Sequence, residues 1–367
     1  MKRVIVGLII IVILSLLIVS CGGERNKKSE KAGLNVGFIF VGPIGDGGWN
    51  YAHHQGKIEI EDLPFIENVF YREHASDTET SLIAIEELVK AGAELIFTTS
   101  YNQKEATIEM ANKYPHVIFE SCSTFIKSEN IGSYFGKIYQ GWYLAGVIAG
   151  LKTESNQIGI IVAHANPECC RITNAFALGV KKINPEAKVY IEWIHNWYDP
   201  SKENIIANKM IDMGCDVIAH NSDSNESQRV ADTRYVYSIG YNTDMKDFAP
   251  KKNLVSVVWN WGAFYKDTVT KVHKGEWVPD IIWADINSGL FGLTDLSHHI
   301  TQKEKDIIND LAEQISKQEL VVFFGEIIDN KGIFRLVKGS SLSEKDLLTM
   351  NWLVDNIVVL NPIASSE

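Results

Sequence analysis

The 367-residue chain is 46% apolar and 22% charged, an ordinary balance for a globular body with material for two cores. Its formal charge is −11, and Lys2 and Arg3 are the only charges among the first twenty residues, so residues 21–367 carry −13. Such an excess of carboxylates argues against nucleic acid or an anionic membrane surface as a partner of the folded body.

Lys2 and Arg3 precede a sixteen-residue apolar run, residues 4–19, broken only by Gly7 and Ser15. That run is short for a membrane span and has the layout of an export signal over residues 1–20. Leu17-Ile18-Val19-Ser20-Cys21 resembles a bacterial lipobox, which makes Cys21 the expected lipidation site. The alternative is an uncleaved anchor helix; either arrangement puts the body on the extracytoplasmic face of the cell membrane. Residues 21–33 are polar and small beyond Cys21 and read as a tether. The remaining cysteines, Cys122, Cys169, Cys170 and Cys215, have no metal-ligand spacing. A vicinal Cys169–Cys170 disulfide would be strained, so these are expected to be small buried apolar residues.

Residues 36–41 form an apolar run that reads as a buried strand, and Gly42, Gly45, Gly47 and Gly48 make a loop whose backbone can approach a ligand. Asp46 and Trp49 open the helical pattern that follows. They suit a small polar ligand with a flat ring, or else serve as helix cap and packing. Strand-like runs recur at 67–73, 94–100 and 116–122, with Asp77 capping and Gly92 ending the helix between the first two of these. A second series has an apolar helix at 139–151, strands at 157–163, 187–194, 215–220 and 235–241, and helices at 171–183 and 201–213. The last third holds strand-like runs at 253–259 and 280–293, helical patterns at 303–317 and 343–358, and a hairpin over 320–337 turning at Asn330-Lys331-Gly332. Two repeated βα series define an α/β class with two doubly wound parallel-sheet lobes and a central cleft.

In open α/β sheets ligands bind beyond the carboxyl ends of the strands. Those ends carry Asp46, Trp49 and Asn50; Ser100 and Tyr101; Asn221 and Asp223; Tyr241 and Asn242; and Trp259, Asn260 and Trp261, with Asn174 and Asp285 as further candidates. A flat heteroaromatic ligand needs aromatic faces to sandwich it and amides or carboxylates for its edges. Catalytic signatures are missing: GPIGDGG is neither a dinucleotide fingerprint nor a P-loop, and no G-x-S-x-G or H-E-x-x-H occurs. His53-His54 and His298-His299 are adjacent pairs, which do not face one site on a helix.

The stretches VGFIFVGPIGDGGWNYAHHQG, SYFGKIYQGWYLAGVIAG, NAFALGVKKINP, CDVIAHNSDS, SIGYNTDM and VVWNWGAFY resemble the basic membrane protein (Bmp) family of substrate-binding lipoproteins. The resemblance covers residues 34–360 and is nearest the branch associated with purines. It implies a type I periplasmic-binding-protein fold, in which lobe 1 takes 34–135 and about 257–283. Lobe 2 then takes 136–256 and about 284–340, and 341–367 form a C-terminal helix. It further implies no catalysis, no cofactor and no metal. The expected protein is a monomer that captures a purine base or nucleoside, such as adenine, for an ABC permease and its ATPase. By the resemblance, Asp46, Trp49 and Asn50 hold and stack the ring. Asn174, Asp223, Tyr241, Asn242 and Trp259 to Trp261 contribute from the other strand ends. Asp285 stands near a polar position of nucleoside-binding members, but ADINSG departs from the pattern, which leaves both a bare base and a nucleoside open. PECCR at 167–171 replaces a more apolar run. Riboflavin or another flat vitamin, a sensory lipoprotein, and a nucleoside-processing enzyme are the competing expectations.

Overall fold

The computed structural model describes residues 33–361. The export signal, lipidation at Cys21 and nearly all of the tether lie outside the described residues. The described residues from 34 onward form one compact unit.

The chain alternates strands and helices from the outset. It runs β1 (Leu34–Ile39), α1 (Trp49–Glu61), β2 (Ile66–Arg72), α2 (Thr78–Lys90), β3 (Leu95–Thr98), α3 (Lys104–Lys113), β4 (Ile118–Cys122) and β5 (Ile131–Gly136). It continues through α4 (Tyr139–Lys152), β6 (Gln157–Val162), α5 (Pro167–Ile183), β7 (Lys188–Trp193), α6 (Pro200–Asp212), β8 (Val217–Asn221), α7 (Glu226–Thr233), β9 (Tyr237–Asn242) and β10 (Asn253–Trp259). It ends with α8 (Trp261–Lys274), β11 (Ile281–Ala284), β12 (Phe291–Leu293), α9 (Gln302–Ser316), β13 (Ile327–Ile328), β14 (Phe334–Leu336), α10 (Glu344–Leu348) and β15 (Ile357–Val359).

The first sheet has the order β11-β5-β4-β3-β1-β2 and is parallel throughout. The second has the order β12-β10-β9-β8-β6-β7-β15, parallel except for the antiparallel edge strand β12. The apolar runs produce this because parallel strands are covered by helices on both faces. The chain passes between the sheets three times: after β5, after Trp259, and after Ala284.

Helix α4 shows how the second sheet is covered. Eleven of its fourteen residues are buried. A side chain at Gly146 would strike the carbonyl of Phe176, and one at Gly179 the carbonyl of Tyr143, so only glycine lets α4 and α5 pack backbone to backbone. Asp77 caps α2 by accepting from the Thr80 N–H at 2.8 Å, and Gly92 ends it with φ of 96°. All four cysteines among the described residues are buried and outside disulfides.

Three local expectations change. The run 343–358 is not one helix but the short α10 followed by β15, which joins the free side of β7. The predicted strand 280–293 is two strands, β11 and β12, in different sheets. The hairpin keeps its turn, where the Asp329 carboxylate accepts from the N–H groups of Lys331 and Ile333, but its paired strands are only β13 and β14.

Candidate functional site

Strand order reverses between β1 and β3 in the first sheet and between β6 and β8 in the second. In open α/β sheets such a reversal is where the loops beyond the carboxyl strand ends diverge and ligands bind. The loop after β1 meets those after β8 and β9. The Thr243 hydroxyl donates to the Gly47 carbonyl at 2.9 Å, and Gly48 lies against the backbone of Asp223.

On the first-sheet side, the loop is built by Asp46. Its carboxylate accepts from Gly48 N, Asn50 N, Tyr51 N and the Asn50 side-chain amide at 2.7–3.0 Å. Asn50 in turn accepts from Gly42 N at 3.2 Å. Both side chains therefore shape the N-terminal end of α1. Trp49 is half-buried, and its indole N–H donates to the Thr99 carbonyl at 3.0 Å. Its ring meets Trp261 and Trp259 edge-on, at 5.4 and 5.9 Å between centroids. Trp259 stacks on Trp261 at 4.4 Å, and His53 stacks on the other side at 4.3 Å. Burial pushes the His53 pKa well below its usual value, so the ring is neutral. Its Nδ1 lies 2.6 Å from the Tyr265 hydroxyl, while its Nε2 is buried with no hydrogen-bond partner.

On the second-sheet side, Asn221 ends β8. Its side chain is fully buried, and neither its carbonyl oxygen nor its amide nitrogen has a hydrogen-bond partner. Asn242 ends β9 in the left-handed region, φ 67°, and donates to the Asp223 carboxyl at 2.9 Å, leaving its own amide oxygen unpartnered. Burial, reinforced by the charge of Asp46, pushes the Asp223 pKa well above its usual value. Tyr241 packs against Trp142 at 5.4 Å and takes a long bond, 3.4 Å, from the Trp259 indole; the Trp142 N–H is itself buried without a partner. A buried polar group left unpaired costs about 1–3 kcal/mol. Several at one set of strand ends mark a place built for hydrogen bonds from outside the chain.

Not every expected residue joins this set. Tyr101 is 60% exposed and lies under the Lys104 ammonium. Ser100 caps the turn at 101–103. Asn260 is exposed and donates to the Gly289 carbonyl. Asp285 caps the turn that follows it, accepting from Asn287 N at 3.0 Å. Asn174 is buried, but its amide is committed to the C-terminal segment: it donates to the Trp352 carbonyl at 2.8 Å and accepts from Val354 N at 2.9 Å. In each case the polar atoms serve the chain itself. Conversely, His53 and Trp142 were not expected. Trp142 is hidden in an apolar helix, and His53 in an adjacent pair of which only one member faces inward.

Behind the loop 222–227 lies a buried network. Glu203 accepts from the Ser222 hydroxyl and from Ser227 N, each at 3.2 Å, with His220 Nδ1 at 3.6 Å. Burial raises the Glu203 pKa to about 7 and lowers that of His220 to about 3. Because the folded pKa of Glu203 exceeds the usual value of 4.5, the folded state binds more protons between those values. The contribution of this group is therefore fully present below pH ~4.5 and is lost as pH rises through about 7. Glu203→Gln is expected to be more favourable relative to the parent at pH 8 than at pH 5 in urea unfolding. Equal differences at both values would contradict this.

Two doubly wound halves meeting at their strand ends, with a polar and aromatic crevice between them, define a solute-binding protein of the periplasmic type. The chain belongs to the Bmp family, ABC transporter substrate-binding proteins of the PnrA-like kind, whose model matches residues 34–322. Such proteins are extracytoplasmic binding components, not enzymes. It is similar to a purine-binding protein of Brucella abortus, 33% identical over 92% of this chain and 95% of that one. It is equally similar, at 33% over 84% of this chain and 78% of the other, to a Haloferax volcanii protein named as an ABC transporter glucose-binding protein. Among solved structures, an ABC transporter solute-binding protein from Conexibacter woesei superposes with a TM-score of 0.69, covering 78% of this chain and 98% of that one at 18% identity. That likeness concerns the fold.

Proposed function

We propose that this protein captures a purine base, or a nucleoside, between its two sheets and delivers it to an ABC importer while Cys21 anchors it by lipid. The observation that carries the purine reading is Asn221. A carboxamide with its donor and acceptor both unpartnered matches a ring edge that offers an acceptor beside a donor, the pairing by which asparagine reads adenine. Asn242 and Asp223 supply further donors and acceptors nearby. Trp49 and its neighbours supply aromatic surface. The Brucella relative, which this chain matches almost end to end, supports the same ligand class.

Binding to the native state raises the melting temperature by an amount set by ligand excess over Kd. A thermal-shift screen with adenine, hypoxanthine, adenosine, inosine, riboflavin and D-glucose is expected to respond to a purine. Stabilisation by glucose alone, or by riboflavin alone, would overturn the purine reading and leave the solute-binding class intact. Trp49→Ala is expected to retain the parent far-UV spectrum and lose at least ~10-fold in purine affinity, since aromatic–base stacking is worth about 1–3 kcal/mol. Unchanged affinity in calorimetry would remove the ring from the site.

A further inference from the structure

Among the described residues Glu168 has acceptor atoms that the chain itself does not use. It lies in the first turn of α5, half-buried, one residue beyond the helix-opening Pro167. Asn166 already caps that helix by accepting from Cys169 N at 2.9 Å. Among the described residues Glu168 makes no hydrogen bond and no ion pair. The charge of the nearby Arg171 partly offsets the burial of Glu168, but its guanidinium donates to the Leu347 carbonyl at 2.7 Å and lies over the Trp283 ring at 5.4 Å.

Chain topology places Glu168: β6 ends at Val162, Ala163 N donates to the Asn221 carbonyl at 3.0 Å, and α5 opens four residues later, so its first turn stands beyond the carboxyl end of a strand at the reversal of the second sheet. In keeping with that place, its charge is felt by Cys122 at the end of β4 and by Asp223 and Tyr241 beyond β8 and on β9, as well as by Cys169 and Arg171 of its own helix. Asn221, buried and unpartnered, ends the strand adjacent to the one that leads into α5.

We propose that Glu168 is a specificity-determining residue of this crevice, accepting N–H groups from the ring edge of a neutral purine and turning away anionic heterocycles. The inference rests on the purine reading above. Among carboxyl groups at the crevice, Asp46 is saturated by four donors from its own loop and Asp223 already accepts from the Asn242 amide, whereas Glu168 has unused acceptor capacity. Burial alone disfavours its charge, and an N–H donor from the ligand offsets that penalty. An anion placed beside it would add like-charge repulsion instead.

The test is a calorimetric titration of the parent protein, Glu168→Gln and Glu168→Ala with adenine, hypoxanthine and urate, the last an anion at neutral pH. The parent is expected to prefer the better of the two neutral purines over urate. Both variants are expected to lose at least ~10-fold for that purine while urate binding holds or improves. If the variants weaken neutral purines and urate alike, the effect is structural and the proposal is overturned. If affinities and preference stay at parental values, Glu168 has no role. If the parent binds no purine, the purine reading fails and takes this inference with it; purine binding with an unchanged preference overturns the role of Glu168 alone.

Discussion

Asn221→Leu folds, melts no lower than the parent, and loses purine binding by on the order of a hundredfold. The two halves of this expectation come from the same two atoms. In the ligand-free protein the carboxamide is fully buried with neither end hydrogen-bonded, which costs about 1–3 kcal/mol. Leucine, of similar shape, removes that cost. With ligand present, the same change deletes two hydrogen bonds and leaves two polar atoms of the ring facing methyl groups. A penalty of about 3 kcal/mol corresponds to roughly two powers of ten in Kd. Calorimetry and a melting curve on the same preparation check both halves. A variant that melts lower and binds normally would make Asn221 a core residue with unseen partners.

Gly48→Ala has a comparable effect by another route. A Cβ at this position would come within 2.7 Å of the Asp223 Cα and 2.9 Å of its carbonyl carbon. These are backbone atoms of the opposite half, so no side chain can swing aside. The loop after β1 must withdraw from the loop after β8, and the Thr243–Gly47 bond goes with it. Purine affinity is expected to fall at least ~100-fold, because the substitution drives apart two loops that border the proposed site. Calorimetry on the folded variant checks this, and parental affinity would show that Gly48 and Asp223 do not need this approach.

Much of the fold was legible because parallel strands covered on both faces leave continuous apolar runs, such as those at 36–41 and 157–163. Strand β5 was not, because IGSYFG has two glycines and a serine that break its apolar run. The end of the chain misled for a different reason. Leu347, Met350, Leu353 and Val354 are buried at nearly helical spacing, yet an available sheet edge on β7 outweighs that local pattern and draws in residues 357–359.

The candidate site was half legible. Polar and aromatic residues at strand ends could be gathered from the chain alone. Sorting them could not. Asp46 and Asn221 look equally suited to a ligand in sequence, but one is saturated by its own loop and the other is left without partners. Only the three-dimensional hydrogen-bond count separates them. Trp49, Trp259 and Trp261 were expected together and do meet. Trp259 belongs to the second sheet through β10, whereas Trp261 opens α8, which packs on α1.

The most direct test of the central claim is a calorimetric titration of the purified protein with adenine, hypoxanthine and D-glucose, repeated on Asn221→Leu. The account predicts saturable one-to-one binding of a purine by the parent, none by the variant at the same concentrations, and no heat from glucose. Saturable glucose binding with no response to either purine would contradict it.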